Sequence, residues 1–170
     1  MGWDLSNAVA FAFEYGGELP STSRDWLIAH VGEPRGLVKS PFLAARNTAV
    51  REAIKLGCEY AIFIDHDVTV TEPGVWRWLE TEGDVVACEC ALPGNAWVTD
   101  HAFHTPLWRC RLDVLRAIEP PWFEHIYTDD GCDMLGCECL YFRRKAEALG
   151  FHVTHGGWCS HRQDGTWRHG

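Results

Sequence analysis

The chain has no apolar run approaching the roughly 20 residues that cross a bilayer, and its start, MGWDLSNAVAF, lacks the basic opening and continuous apolar core of a secretory signal. These absences exclude a helical membrane span and lead to the expectation of a cytoplasmic protein. No Lys/Arg block occurs, and the formal charge is −9, so the electrostatic footprint of a duplex- or RNA-binding protein is missing. There is no internal repeat and no low-complexity segment, which excludes solenoids and arrays. A Gly-rich phosphate loop with a basic residue near the N-terminus is also lacking, and this argues against a nucleotidyltransferase.

What is present fits one domain of 170 residues with 46% hydrophobic residues, set in short blocks punctuated by Gly, Pro, Asp and Asn. Eight cysteines form an even set, but without a secretion signal a disulfide framework is rejected. Cys88/Cys90 and Cys137/Cys139 have C-x-C spacing and Cys159-Ser160-His161 repeats it with a histidine. Zinc therefore competes with the reading preferred here, reduced cysteines serving as small core residues, although the separations are not those of a zinc finger or ribbon.

Local pattern gives alternating helix and strand and hence an α/β domain. Residues 5–15 carry both a helical set (Leu5, Ala8, Val9, Ala12) and an alternating set (Val9, Phe11, Phe13, Tyr15), and helix is preferred. Residues 25–31 (DWLIAHV) read as a short buried strand bounded by Gly32 and Pro34. Ser40-Pro41 supplies an N-cap and first-turn proline for a helix whose apolar face runs from Phe42 to Ile54, ending at Gly57. Residues 60–64 (YAIFI) form an apolar run suited to a central parallel strand. Further on, a helix after Glu72-Pro73, a strand over 84–88, a strand over 107–110, a helix over 112–118, a helix over 138–149 and a final strand over 151–154 are expected. Residues 91–105 read as a loop over a site, with Asp100, His101 and His104 as candidate contacts, while 122–136 has no usable period. The tail from Gln163 is expected to be frayed.

Asp65-His66-Asp67 falls at the C-terminal end of the 60–64 strand, where ligands of open α/β sheets bind. The ordered blocks AARN (44–47), AIFIDHD (61–67), GCECLYFRRKAEALGF (136–151) and CSH (159–161) resemble the GT-A glycosyltransferases, especially the small family-two-like enzymes of phages and bacteria. The resemblance spans roughly Leu5 to His161. It implies a Rossmann-related, mixed and mostly parallel sheet flanked by helices, with a shortened N-terminus as one alternative. It also implies transfer of a sugar from a nucleotide-diphosphate sugar, a UDP-sugar first, with inversion.

A divalent cation would stabilise the charge that grows on the departing diphosphate, and Mn²⁺ or Mg²⁺ prefers oxygen ligands. By the resemblance, Asp67 touches the metal, Asp65 sits near the ribose or a metal-bound water, and His161 returns as a further protein ligand; His66 lies in the same donor-binding stretch. Arg46 and Asn47 match the start of the long helix, where a guanidinium can pair with phosphate or with an acid. Glu138 matches the first residue of an acidic pair that supplies the general base. Cys139 replaces the second, usually credited with the proton transfer, so Asp133, Asp130 and Asp129 become further candidates. Trp97, Trp122 and Trp158 could stack on a sugar or pack in the core. At the N-terminus the chain reads as entering at a helix where the family begins with a strand: the base pocket is shortened, residues 9–15 serve as that strand, or another subunit of an oligomer completes it. The acceptor class, whether glycan, lipid, protein or a modified DNA base, has no signature. The alternative to an enzyme is a non-catalytic nucleotide-sugar-binding or zinc-stabilised module.

Overall fold

A computed structural model describes residues 5–14, 17–37, 41–91 and 105–161. The elements in chain order are β1 (Ala8–Phe13), α1 (Ser21–His30), β2 (Arg35–Leu37), α2 (Phe42–Leu56), β3 (Tyr60–Asp65), β4 (Val68–Val70), α3 (Gly74–Glu80), β5 (Val85–Ala91), β6 (Leu107–Arg111), α4 (Leu112–Ala117), β7 (Ile126–Tyr127), β8 (Met134–Gly136), α5 (Glu138–Ala148) and β9 (Val153–His161). Among the described residues no helix is long and apolar enough to cross a membrane.

Seven strands form one sheet in the order β2-β1-β3-β6-β5-β9-β4. The strands β2, β1, β3, β5 and β9 run one way, and β6 and β4 run against them. This is the mixed, mostly parallel, Rossmann-like architecture expected. The chain moves from β1 outward to β2, then crosses back to β3 on the other side of β1. The connection therefore reverses at the carboxyl ends of β1 and β3, the crevice where ligands of such sheets bind.

Strand parity divides the core. Phe11, Phe13, Ala61 and Phe63 face one layer with α2, α4 and α5, while Ala10, Ala12, Ile62 and Ile64 face the other with α1 and α3. In the first layer Phe63 stacks on Trp108 at 4.2 Å, and Trp108 meets Phe142 at 5.1 Å. By the same parity Asp65 leaves β3 on the α2 side.

Three sequence expectations are corrected. Residues 8–13 are a strand, not a helix; β1 is covered on both faces, so its apolar residues are continuous and the helical set is coincidental. The reading that the chain enters at a helix fails with it, since β1 precedes α1. Residues 25–30 belong to α1, with Val31 as its C-cap, and not to a strand: the helix buries Ser23, Trp26 and Leu27 at helical spacing and leaves Ile28 exposed. β9 continues through Gly156-Gly157 to His161, well beyond the short strand expected. Those glycines allow close approach to α3. A Cβ on Gly156 would lie 1.9 Å from Thr81 Oγ1, and one on Gly157 2.2 Å from the Gly74 carbonyl. Within 122–136, where no period is visible, β7 and β8 form a small antiparallel pair.

Candidate functional site

Asp65 is the last residue of β3, and its register partner on β1 is Phe13. The amide of Asp65 donates to the Pro106 carbonyl at 2.8 Å and that of His66 to the Phe13 carbonyl at 3.2 Å, so the triplet is tied to both neighbours at the crevice. Asp65 and Asp67 are both buried, at 8% and 9% exposure. Asp67 leads into β4, which Ser23 clamps from α1: its hydroxyl donates to the Val68 carbonyl at 2.8 Å and accepts from the Val70 amide at 2.9 Å. His161 is the register partner of Val68, the residue after Asp67; its side chain lies outside those described.

Arg46, at the start of the second turn of α2, is 2% exposed. Its guanidinium carbon lies 4.4 Å from the Phe42 ring centre, 4.9 Å from Phe13 and 5.7 Å from Phe123. From this cage Nη2 donates to both Asp65 oxygens, at 3.1 and 3.3 Å, and Nη1 to Thr105 Oγ1 at 3.1 Å. Its Nε is 3.9 Å from Glu138 Oε1. Thr105 Oγ1 in turn lies 2.9 Å from Cys139 Sγ, and the Cys139 thiol donates to Glu138 Oε1 at 3.4 Å. Three of the four sequence blocks thus converge on one arginine. It pairs with a buried aspartate rather than facing solvent, a state that only a buried acid makes tolerable.

Asn47 has a different environment. Its amide nitrogen donates to the Leu43 and Phe123 carbonyls, both at 2.9 Å, and its oxygen accepts from the Trp122 and Phe123 amides at 2.9 and 3.1 Å. It staples the segment that carries Phe123 against α2. Glu138 opens α5, and its second oxygen faces His125 Nε2 at 3.5 Å. Asp133, Asp130 and Asp129 are exposed in the β7–β8 turn. There Asp130 accepts from Thr128 Oγ1 at 2.5 Å and from the Cys132 amide at 3.1 Å, bonds that hold its carboxyl below the usual range. Trp122 is buried with its indole donating to the Leu115 carbonyl at 2.8 Å, whereas Trp158 is exposed. Trp97, Asp100, His101 and His104 lie outside the described residues.

The donor set of Asp65 and Asp67 is two carboxylates in one short stretch, hard ligands that suit Mg²⁺ or Mn²⁺. Both press on the same interior region. Burial pushes the Cys90 thiol up to about 12, with Cys159, Asp65 and Asp67 adding to the effect. Cys159 is likewise held well above its ordinary value, first by a hydrogen bond with Cys88, then by burial and by both aspartates. Cys90 and Cys159 are both free thiols buried in the core. Cys137 differs: it is half-buried, and hydrogen bonding with the Cys139 side chain brings its thiol down to about 6.

The signals that sequence reasoning missed are Thr105, Ser23 and His125. None belongs to a motif, and each reaches the site through a contact of long sequence separation. No protein-family model matches the chain, and no curated protein matches it. Among solved structures it is similar to A197 from STIV, with a TM-score of 0.60 at 14% identity over 92% of this chain and 86% of that one, a likeness of fold. It also overlaps a "putative nucleotide-diphospho-sugar transferase" from Desulfovibrio desulfuricans, with a TM-score of 0.46 at 11% identity over 88% of this chain and 79% of the other.

Proposed function

We propose that this chain is a metal-dependent glycosyltransferase that moves a sugar from a nucleotide-diphosphate sugar, a UDP-sugar first, to an acceptor with inversion at the anomeric carbon. The observation that supports it is the Arg46 junction, which joins Asp65 at the carboxyl end of β3 to Glu138 at the start of α5. In this reading Asp67 and Asp65, with His161, hold Mn²⁺ or Mg²⁺, and the cation supplies Lewis-acid stabilisation to the diphosphate leaving group. Arg46 fixes the Asp65 carboxylate and the base together, so that neither must be ordered when substrate arrives. Glu138 accepts the acceptor hydroxyl's proton, with His125 and the Cys139 thiol orienting its oxygens. Asn47 holds Phe123 against the guanidinium and acts on the site by positioning.

The test is a thermal-shift screen of nucleoside diphosphates with and without Mn²⁺. A stabilisation by UDP or another diphosphate that needs the metal supports the reading, because a ligand that binds the folded state raises its stability by mass action. Absence of any metal-dependent diphosphate binding removes it.

A further inference from the structure

The start of α5 gathers three ligand-bearing side chains of a different chemical character from the aspartates. Cys137 Sγ, a carboxylate oxygen of Glu138 and Cys139 Sγ all lie within 4.8 Å of one another. We propose that Cys137, Glu138 and Cys139 form a binding site for one thiophilic divalent cation, Zn²⁺, with the fourth position open to water.

The spacing agrees with tetrahedral zinc. Bonds of about 2.3 Å to sulfur and about 2.0–2.2 Å to oxygen place neighbouring S and O ligands roughly 3.5 Å apart and two sulfurs roughly 3.8 Å apart. The Cys139 Sγ to Glu138 Oε1 distance is 3.4 Å. The remaining separations require only a small inward movement, and Cys137, outside the helix at its N-cap and half-buried, is able to supply it.

The charges also fit. Two thiolates and a carboxylate exceed the charge of Zn²⁺ by one, and the Arg46 guanidinium, which also pairs with Asp65, lies 3.9 Å from Glu138 and lessens that excess. Nε2 of His125 faces the other Glu138 oxygen at 3.5 Å and fixes the carboxylate from behind, as outer partners of metal ligands commonly do. Thiolates select zinc over Mg²⁺ and Mn²⁺, so this site and the aspartates at the end of β3 would take different ions. The zinc proposal does not rest on the transferase reading; a Glu138 bound to Zn²⁺ does not accept a proton, so the base role given to it above belongs to the zinc-free protein.

The experiment titrates the reduced full chain with Co²⁺, followed by its thiolate charge-transfer band, and with Zn²⁺ against a chromophoric chelator. Wild type is expected to bind one equivalent, releasing protons as the thiols ionise. Cys137→Ser places a good N-cap residue at a half-buried position and so preserves the fold. It is expected to weaken Zn²⁺ by at least about 100-fold and to reduce the Co²⁺–thiolate band. Asp67→Ala is expected to leave Zn²⁺ binding unchanged. Wild type without stoichiometric Zn²⁺, a Cys137→Ser protein that keeps wild-type affinity, or loss of zinc with Asp67→Ala would each overturn the proposal. Failure of diphosphate binding would leave it standing.

Discussion

Arg46 reaches both oxygens of Asp65 from inside a cage of three phenyl rings, and the two residues are 2% and 8% exposed. Removing one partner of such a pair leaves a buried charge. Arg46→Met is therefore expected to cost about 3–5 kcal/mol. Adding Asp65→Asn to that variant should recover part of the loss, because the stranded carboxylate disappears. Urea unfolding of the two single variants and the double variant checks this; additive losses would show that the pair is not coupled.

Asp67→Ala is expected to abolish Mn²⁺-dependent diphosphate binding while the protein remains folded, since the residue lies between β3 and β4 and β4 is held separately by Ser23. Asp65→Asn should reduce binding less, as the amide keeps an oxygen for hydrogen bonding. Calorimetric titration with UDP and Mn²⁺ distinguishes them. Equal losses would refute the division of roles, and wild-type affinity in folded Asp67→Ala would remove the metal assignment.

Gly157 has φ +61°, and a Cβ there would stand 2.2 Å from the Gly74 carbonyl and 2.4 Å from the Trp78 amide nitrogen. Both neighbours are backbone and cannot rotate away. Gly157→Ala is expected to destabilise by about 2–4 kcal/mol, combining left-handed strain with overpacking. A chemical denaturation midpoint close to wild type would show that β9 and α3 are less tightly joined.

Much of this architecture was legible because the helices over 42–56, 74–80, 112–117 and 138–148 and the central strand over 60–65 carry their own period or a bounded apolar run. The first two elements were exchanged for a physical reason. β1 is covered on both faces and shows no polar alternation, while α1 packs through only Ser23, Trp26 and Leu27, so its contiguous apolar residues imitate a strand. Gly156-Gly157 read as a strand end because the demand for glycine comes from α3, which is distant in sequence. The site divides likewise. The aspartates were visible as a triplet after an apolar run, but the junction through Thr105 spans 59 residues to Arg46 and 34 to Cys139, separations no local pattern encodes.

Cys137 has its thiol lowered to about 6, first by hydrogen bonding with the Cys139 side chain. A lowered value keeps the reactive thiolate populated as pH falls, so metal-free protein should alkylate at Cys137 with a midpoint near pH 6, against the usual value near 8.5. Cys139, whose own thiol is raised by the same contact and by burial, should stay protected in the native state. Mass-mapped iodoacetamide labelling between pH 5 and 9 measures both. A Cys137 midpoint above pH 8 would contradict the assigned hydrogen bond.

Glu138→Gln separates donor binding from proton transfer. The amide preserves the shape of the side chain, and in the proposed reading Asp65 and Asp67, at the end of β3 and the start of β4, hold the diphosphate, so Mn²⁺-dependent UDP binding should persist. Transfer should fall by about 10²–10⁴-fold, the usual cost of losing a general base. The alternative acids are placed differently: Asp133 is exposed, and Asp130 is engaged within its own turn. If Glu138→Gln retains the wild-type transfer rate, the base lies elsewhere and Asp133→Asn becomes the decisive variant. The neighbouring position gives a second reading of the same chemistry. Cys139 is buried against Thr105 and donates to Glu138, so Cys139→Asp would put a carboxylate within reach of the Arg46 junction. If wild type transfers to no acceptor while Cys139→Asp does, the present cysteine marks a chain that binds its donor without turning it over. The fold and the diphosphate site would survive that outcome, but the proposed activity would not.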